Sequence, residues 1–215
     1  MREWIESNGL GGYASLSQNQ EVQRKFHGLL IASRHPPVDR WVFVSNCIDS
    51  LHVENTVIPL KDHTHFSFNF FPTWTYHTPY GLVKKTLCMP HEQNTTVLKY
   101  DVMLSTQKQT RLLHHLHLNS RHFYDTYPQP NSFSYAYNQT ENTLLFNPKN
   151  VDEQVAISCA ESMFHPVEQW IPYTYKLDCQ RNDSCFDHRL YLGNIEKTVT
   201  KNQSYYLLFT TEKNA

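Results

Sequence analysis

Glycine is scarce in this chain, with six among 215 residues where average usage would give roughly fifteen. The placement of those few glycines therefore carries information. An excess of either charge is also missing: 19 Lys and Arg stand against 20 Asp and Glu, and no basic run exceeds two residues. That balance excludes a general binder of nucleic acid or of anionic membranes. No apolar stretch approaches the length of a membrane span. Met1-Arg2-Glu3-Trp4 leads into no apolar signal region, so a cytoplasmic location is expected. Cys-x-x-Cys pairs are lacking too; Cys47, Cys88, Cys159, Cys179 and Cys185 are odd in number and widely spaced. Reduced thiols are expected rather than a disulfide framework. Disorder is excluded by 40% hydrophobic and 13% aromatic residues with only 18% charged ones.

Helical periodicity is the next absence, since no window carries a sustained 3.6-residue apolar stripe. Strand patterns take its place. Residues 97–104 alternate, with Leu98, Tyr100, Val102 and Leu104 on one face and Lys99 and Asp101 on the other. Leu112, His114, Leu116 and Leu118 keep the same period. Residues 26–32 and 40–46 are short apolar runs separated by the turn signal Pro36-Pro37-Val38-Asp39. Further candidates lie at 81–89, 133–137, 143–146, 154–160, 186–192 and 205–211. About fourteen short strands predict an all-β fold, a large antiparallel β-sandwich with little helix. No repeat or linker divides the chain, so 1–215 are expected to form a single domain. The final strand at 205–209 is followed only by residues 210–215, which suggests a domain boundary.

Three of the six glycines sit in Asn8-Gly9-Leu10-Gly11-Gly12-Tyr13. Such a cluster marks backbone at positive φ or backbone that another group approaches closely. Its spacing fits neither the dinucleotide fingerprint nor the P-loop. A second compact motif, Arg24-Lys25-Phe26-His27-Gly28-Leu29-Leu30, puts two cations and a histidine ahead of an apolar strand, and Arg121-His122 repeats the cation–histidine pairing. Aromatic residues recur at two-residue spacing in Trp74-Thr75-Tyr76 and in Phe133-Ser134-Tyr135-Ala136-Tyr137, with Trp170, Tyr173 and Tyr175 as a third group. Flat rings with polar tips suit stacking on pyranose sugars, and equally suit a sandwich core. His63-x-His65 and His114-His115-x-His117 resemble metal spacings, but no third ligand is placed beside them. No metal or cofactor is expected. Gly-x-Ser-x-Gly is missing. A glycosidase pair could be drawn from Asp101, Asp125, Glu161, Glu168 or Asp178, and nothing in the sequence singles one out.

Taken together, the glycine block, the Arg24–Leu30 block and Pro36-Pro37-Val38-Asp39-Arg40 resemble the N-terminal domain of the bacterial and archaeal type of glycogen debranching enzyme. Phe71-Pro72-Thr73-Trp74-Thr75-Tyr76, Tyr80-Gly81-Leu82-Val83, Asn94-Thr95-Thr96-Val97 and Asn119-Ser120-Arg121-His122-Phe123 extend the resemblance over most of the chain. It fades after Trp170, where Leu177-Asp178-Cys179-Gln180-Arg181-Asn182-Asp183-Ser184 departs from the family pattern. The resemblance implies a supersandwich placed ahead of a C-terminal α/α-barrel that carries the glucosidase carboxylates. It implies no catalytic residue in this chain and an α-glucan such as glycogen as the partner. Asn8, Gly9, Gly11, Gly12, Tyr13, Arg24, Lys25, His27, Arg121 and His122 are then expected to bind substrate or face the barrel. Trp74, Tyr76 and Trp170 are the candidates for sugar stacking. A free-standing α-glucan-binding module and a hydrolase with its own acid pair are the rival readings.

Overall fold

The computed structural model describes residues 2–62 and 64–213. Its first strands are β1 (Glu3–Ser7), β2 (Tyr13–Ser17), β3 (Gly28–His35), β4 (Val38–Val53), β5 (Thr56–Pro59), β6 (His65–Phe68), β7 (Pro72–Thr78) and β8 (Gly81–Cys88). There follow β9 (Thr95–Leu104), β10 (Thr110–His122), β11 (Phe133–Asn138), β12 (Thr143–Pro148), β13 (Val155–Ser158) and β14 (Ser162–Thr174). One helical turn, α1 (Lys176–Cys179), precedes β15 (Phe186–Val199) and β16 (Asn202–Thr210). Two eight-stranded antiparallel sheets result. The first runs β1-β2-β3-β4-β10-β15-β14 with β5 beside β4, and the second runs β11-β12-β13-β16-β9-β8-β7-β6. The β-sandwich expected from the alternating pattern is the fold observed.

Alternation places the core. On β9, Leu98, Tyr100 and Val102 are buried while Met103 is exposed, as a two-residue period between a core and solvent requires. Leu112, Leu116 and Leu118 of β10 face the same interior, with Leu190 and Ile195 of β15 and Leu207 and Phe209 of β16. Strand β14 has no counterpart in the sequence reading because Pro166 and Pro172 interrupt its pattern. Its place at the end of the first sheet explains the tolerance, since an edge strand can omit ladder donors. The pairing with β15 slips between Pro166 and Gln169. Cysteine chemistry also departs from expectation. Cys179 and Cys185 are joined in a disulfide, bridging the turn between β14 and β15, a local pairing that wide-spacing arguments overlook. Cys47, Cys88 and Cys159 are free.

A charged cluster lies at the centre of this apolar interior. Asp49 of β4 accepts from Lys85 Nζ of β8 at 2.7 Å and from the Tyr100 hydroxyl of β9 at 3.0 Å. His114 Nδ1 of β10 lies 2.8 Å from the same carboxylate, and its Nε2 is 3.0 Å from the Tyr205 hydroxyl of β16. Lys85 also donates to Gln20 Oε1 at 2.9 Å and to the Cys47 carbonyl at 3.2 Å. Burial alone would raise the Asp49 carboxyl; the Lys85 ammonium and the His114 hydrogen bond outweigh it and hold the group well below the usual carboxylate range. Burial pushes the Tyr100 and Tyr205 phenols up, and the Asp49 charge adds to both. Because members come from both sheets, the cluster fixes one sheet's position on the other. Replacing Lys85 by Met strands a buried carboxylate, so K85M is expected to lose about 3–5 kcal/mol in urea unfolding.

Candidate functional site

The glycine block forms the turn from β1 to β2. Asn8 is fully buried there; its Oδ1 accepts from Leu10 N at 3.0 Å, and its Nδ2 donates to the Gln93 carbonyl and to Asn94 Oδ1. Asn94, between β8 and β9, in turn exchanges two hydrogen bonds with the Ser33 backbone of β3. The turn thus latches the two sheets together at one end. Gly11 has φ +96°, and a Cβ there would stand 2.3 Å from the Pro37 carbonyl oxygen of the β3–β4 turn. Only glycine permits that contact. Gly9 also has positive φ, and Gly12 lies against the side chains of Asn8 and Asn94.

Tyr13 and Arg121 join the signature segments to one another. The Tyr13 hydroxyl donates to the Phe26 carbonyl at 2.9 Å, and burial pushes its pKa up to about 12. Arg121, fully buried on β10, donates through Nη2 to the Lys25 carbonyl at 2.6 Å and to the Tyr175 hydroxyl at 2.9 Å. Its Nε lies 2.7 Å from Asp187 of β15, and Tyr175 donates to that same carboxylate at 2.5 Å. Lys25 N donates to Asp178 at 2.6 Å, and Lys25 Nζ reaches Asp183 at 2.8 Å and the Ser184 hydroxyl at 3.1 Å. The segment that departs from the family pattern therefore clasps the Arg24–Leu30 block, with the Cys179–Cys185 bond closing the clasp. Arg24 pairs with Glu3 at 2.7 Å. His27 Nδ1 accepts from Gln23 N; burial lowers its pKa, Glu3 opposes that and Arg24 adds to it.

The outward side of this junction is aromatic and cationic. Ile31, Val42 and Phe123 form a small second core packed against Tyr13 and Phe26. Phe26 meets both Phe123 and Tyr124 edge-on at about 5.5 Å. His122 lies edge-on to Trp41 and tilted against Tyr124. Arg40 sits 5.4 Å over the Phe123 ring and donates to the Gly11 carbonyl at 2.6 Å. Tyr124 is 58% exposed. Asn8, Lys25, His27 and Arg121 are buried, Arg121 donating to the His122 and Phe123 carbonyls, while Tyr13, Phe26 and His122 are half-buried and Tyr124 is exposed. Phe26 and Tyr124 escaped single-residue reasoning, because only their tertiary stacking makes them part of one surface.

Other candidates fall elsewhere. Trp74 and Tyr76 are core side chains, 1% and 2% exposed; Trp4 and Phe66 pack on the Trp74 ring. Neither offers a free face to a sugar, which corrects the stacking expectation for both. Trp170 is half-buried and edge-on to Phe133. It closes the open side of the sandwich, together with Tyr135 and Tyr137 packed on Phe164. His63 lies outside the described residues. Cys47, Asp49 and His114 hold donor atoms within 4.8 Å of one another, but the Lys85 ammonium already neutralises that carboxylate. Among the sequence-proposed acids, Asp178 is committed to the Lys25 amide, Asp101 to Lys99 and Ser204, and Glu161 to Lys197. Glu168 accepts from the Tyr135 hydroxyl.

The all-β body agrees with the comparisons. Residues 2–206 match the family described as glycogen debranching enzyme N terminal. The chain belongs to that family of N-terminal domains. In fold it is similar to a bacterial glucoamylase complexed with acarbose, at TM-score 0.55 and 9% identity over 97% of this chain and 32% of that one. A heparan sulfate lyase HepC mutant from Pedobacter heparinus matches at TM-score 0.48 and 11% identity, over 77% of this chain and 24% of that one. This chain thus spans about a third or less of the structures it matches. No curated protein matches. No helix among the described residues is long and apolar enough to cross a membrane.

Two measurements probe the junction and its surroundings. R121M leaves Asp187 buried without its cation and is expected to lose about 3–5 kcal/mol in urea unfolding, with R121M/D187L losing less than the two single changes summed. His117 of β10 is buried beside Arg189, and burial followed by that cation lowers its pKa to about 3. A folded-state value below the unfolded one, about 6.5, gives stability that is full above the unfolded value and lost as pH falls toward the folded one. Some 2 kcal/mol is expected to be lost by about pH 5, and H117F is expected to flatten the stability–pH slope across that window.

Proposed function

We propose that this chain is the non-catalytic N-terminal domain of a glycogen or α-glucan debranching enzyme, packing on a separate glucosidase barrel and helping to shape its substrate cleft. The observation that carries the reading is the convergence of the glycine turn, residues 24–28 and residues 119–123 into one buried junction. Above that junction lies the patch of half-buried Tyr13, Phe26 and His122 with exposed Tyr124. Aromatic rings with adjacent cations suit a domain interface or the face of a sugar ring. The buried carboxylates support an auxiliary role: Asp49 and Asp187 are each neutralised by a cation, whereas a glycosidase acid must keep a proton to donate. The matched family and the likeness to a glucoamylase fold agree with this assignment.

The test pairs this chain with an α/α-barrel glucosidase domain supplied separately. Co-purification is expected, with Y124D weakening the pairing by at least about tenfold while leaving the unfolding midpoint unchanged. Pairing that is indifferent to Y124D counts against the patch as the interface. Migration in native gels containing glycogen addresses the free-standing module, and strong retardation of the isolated chain favours it.

A further inference from the structure

A cavity of about 400 Å³ that shares no lining residue with the aromatic patch lies between residues 19–22, the middle of β4, residues 60–62 and the β14–β15 pair. That size is in the range of small-molecule sites. Arg189 lines it and is only 7% exposed. Its Nε is buried with no hydrogen-bond partner, and among the described residues no hydrogen bond or ion pair reaches any of its nitrogens. The guanidinium carbon lies 3.4 Å above the Tyr173 ring, and Tyr173 is held by its hydroxyl's bond to the Val22 carbonyl. The cation is therefore fixed in place without a hydrogen-bonded or ion-paired anion.

None of the surrounding carboxylates forms an ion pair with it among the described residues. The charge of Asp187, two residues before it and on the same face of β15, acts on Arg189, but that carboxylate is paired with Arg121 at 2.7 Å. Asp49, which also lines the cavity, is paired with Lys85 at 2.7 Å. His117 on the adjacent strand is neutral near pH 7. Glu21 accepts from the Gln23 side chain at 2.8 Å, and with Asn19, Lys61 and Asp62 it stands on the exposed lip. A buried cation without an anion is costly, and a guanidinium is the side chain best shaped to take a carboxylate or phosphate through paired N–H donors. The lip offers polar groups suited to hydroxyls.

We propose that this cavity binds a small anionic sugar, a polyol bearing a carboxylate or phosphate, with the anionic oxygens on Arg189 and the hydroxyls at the Asn19–Lys61 lip. The inference stands on the unpaired cation and not on the glucan reading above. A chain that ignores glycogen and the barrel domain leaves it intact.

Titration calorimetry on the full chain with glucuronate, glucose 6-phosphate, glucose and inorganic phosphate tests it. Saturable binding of at least one sugar anion is expected with a dissociation constant on the order of 1 mM, and at least about tenfold weaker binding of glucose and of inorganic phosphate. Comparing glucuronate with glucose 6-phosphate identifies which anion the site takes. R189Q is expected to lose at least about tenfold in affinity. Should R189Q fail to fold, N19W, which fills the exposed mouth and touches no buried contact, carries the same expectation. The proposal is overturned by no saturable binding of either sugar anion, by glucose or bare phosphate binding as tightly, or by unchanged affinity in the folded variants.

Discussion

One carboxylate holds the two sheets of this protein in register. Apolar surfaces attract without direction, so a sandwich built on them alone could slide or rotate its layers. Asp49 removes that freedom by taking hydrogen bonds from Lys85 and Tyr100 on the second sheet while pairing with His114 on its own. Tyr205 extends the chain of contacts to a third strand of the second sheet. Each partner satisfies the others, which is the condition under which buried charge specifies an arrangement instead of weakening it. The Asn8–Asn94–Ser33 latch performs the same task at the sandwich end with neutral groups.

A sequence signature need not be a row of ligand contacts. Asn8 and Arg121 bond carbonyls of segments far away in sequence, Gly11 makes room for the Pro37 carbonyl, and Lys25 Nζ bonds the Asp183 and Ser184 side chains. Their identities are demanded by geometry: an Asx turn, a close carbonyl, a long-armed ammonium and a five-donor fork. What they support is a surface whose own residues, Phe26 and Tyr124 among them, carry weaker local signals. The chemistry available to a partner is thus one layer removed from the motif that reveals it.

The body of the fold was legible because β9 and β10 obey a two-residue period that leaves little choice of face. Strand β14 was not, since prolines that argue against a strand are harmless at an edge whose donors face away from a ladder. Glycine placement pointed correctly to close approach, and the structure names the approaching group as the Pro37 carbonyl. Trp74 and Tyr76 show the opposite limit. Two-residue spacing says that rings share a face but is silent on whether that face meets solvent or the other sheet. Arg189 was invisible for a related reason: whether a cation has a counter-ion is a property of three-dimensional neighbours, and Asp187, the nearest acid in sequence, belongs to Arg121.

The sandwich does not close on itself, so each sheet ends in backbone that another polypeptide could copy. Three of the four terminal strands discourage such copying. Strand β14 breaks its ladder with two prolines and a register slip, β6 is four residues long, and β1 turns Glu3 outward. Short, interrupted or charged margins deny an incoming strand the uninterrupted template that fibrous stacking needs. An aromatic-rich, weakly charged chain thereby offers poor templates at three of its four sheet margins.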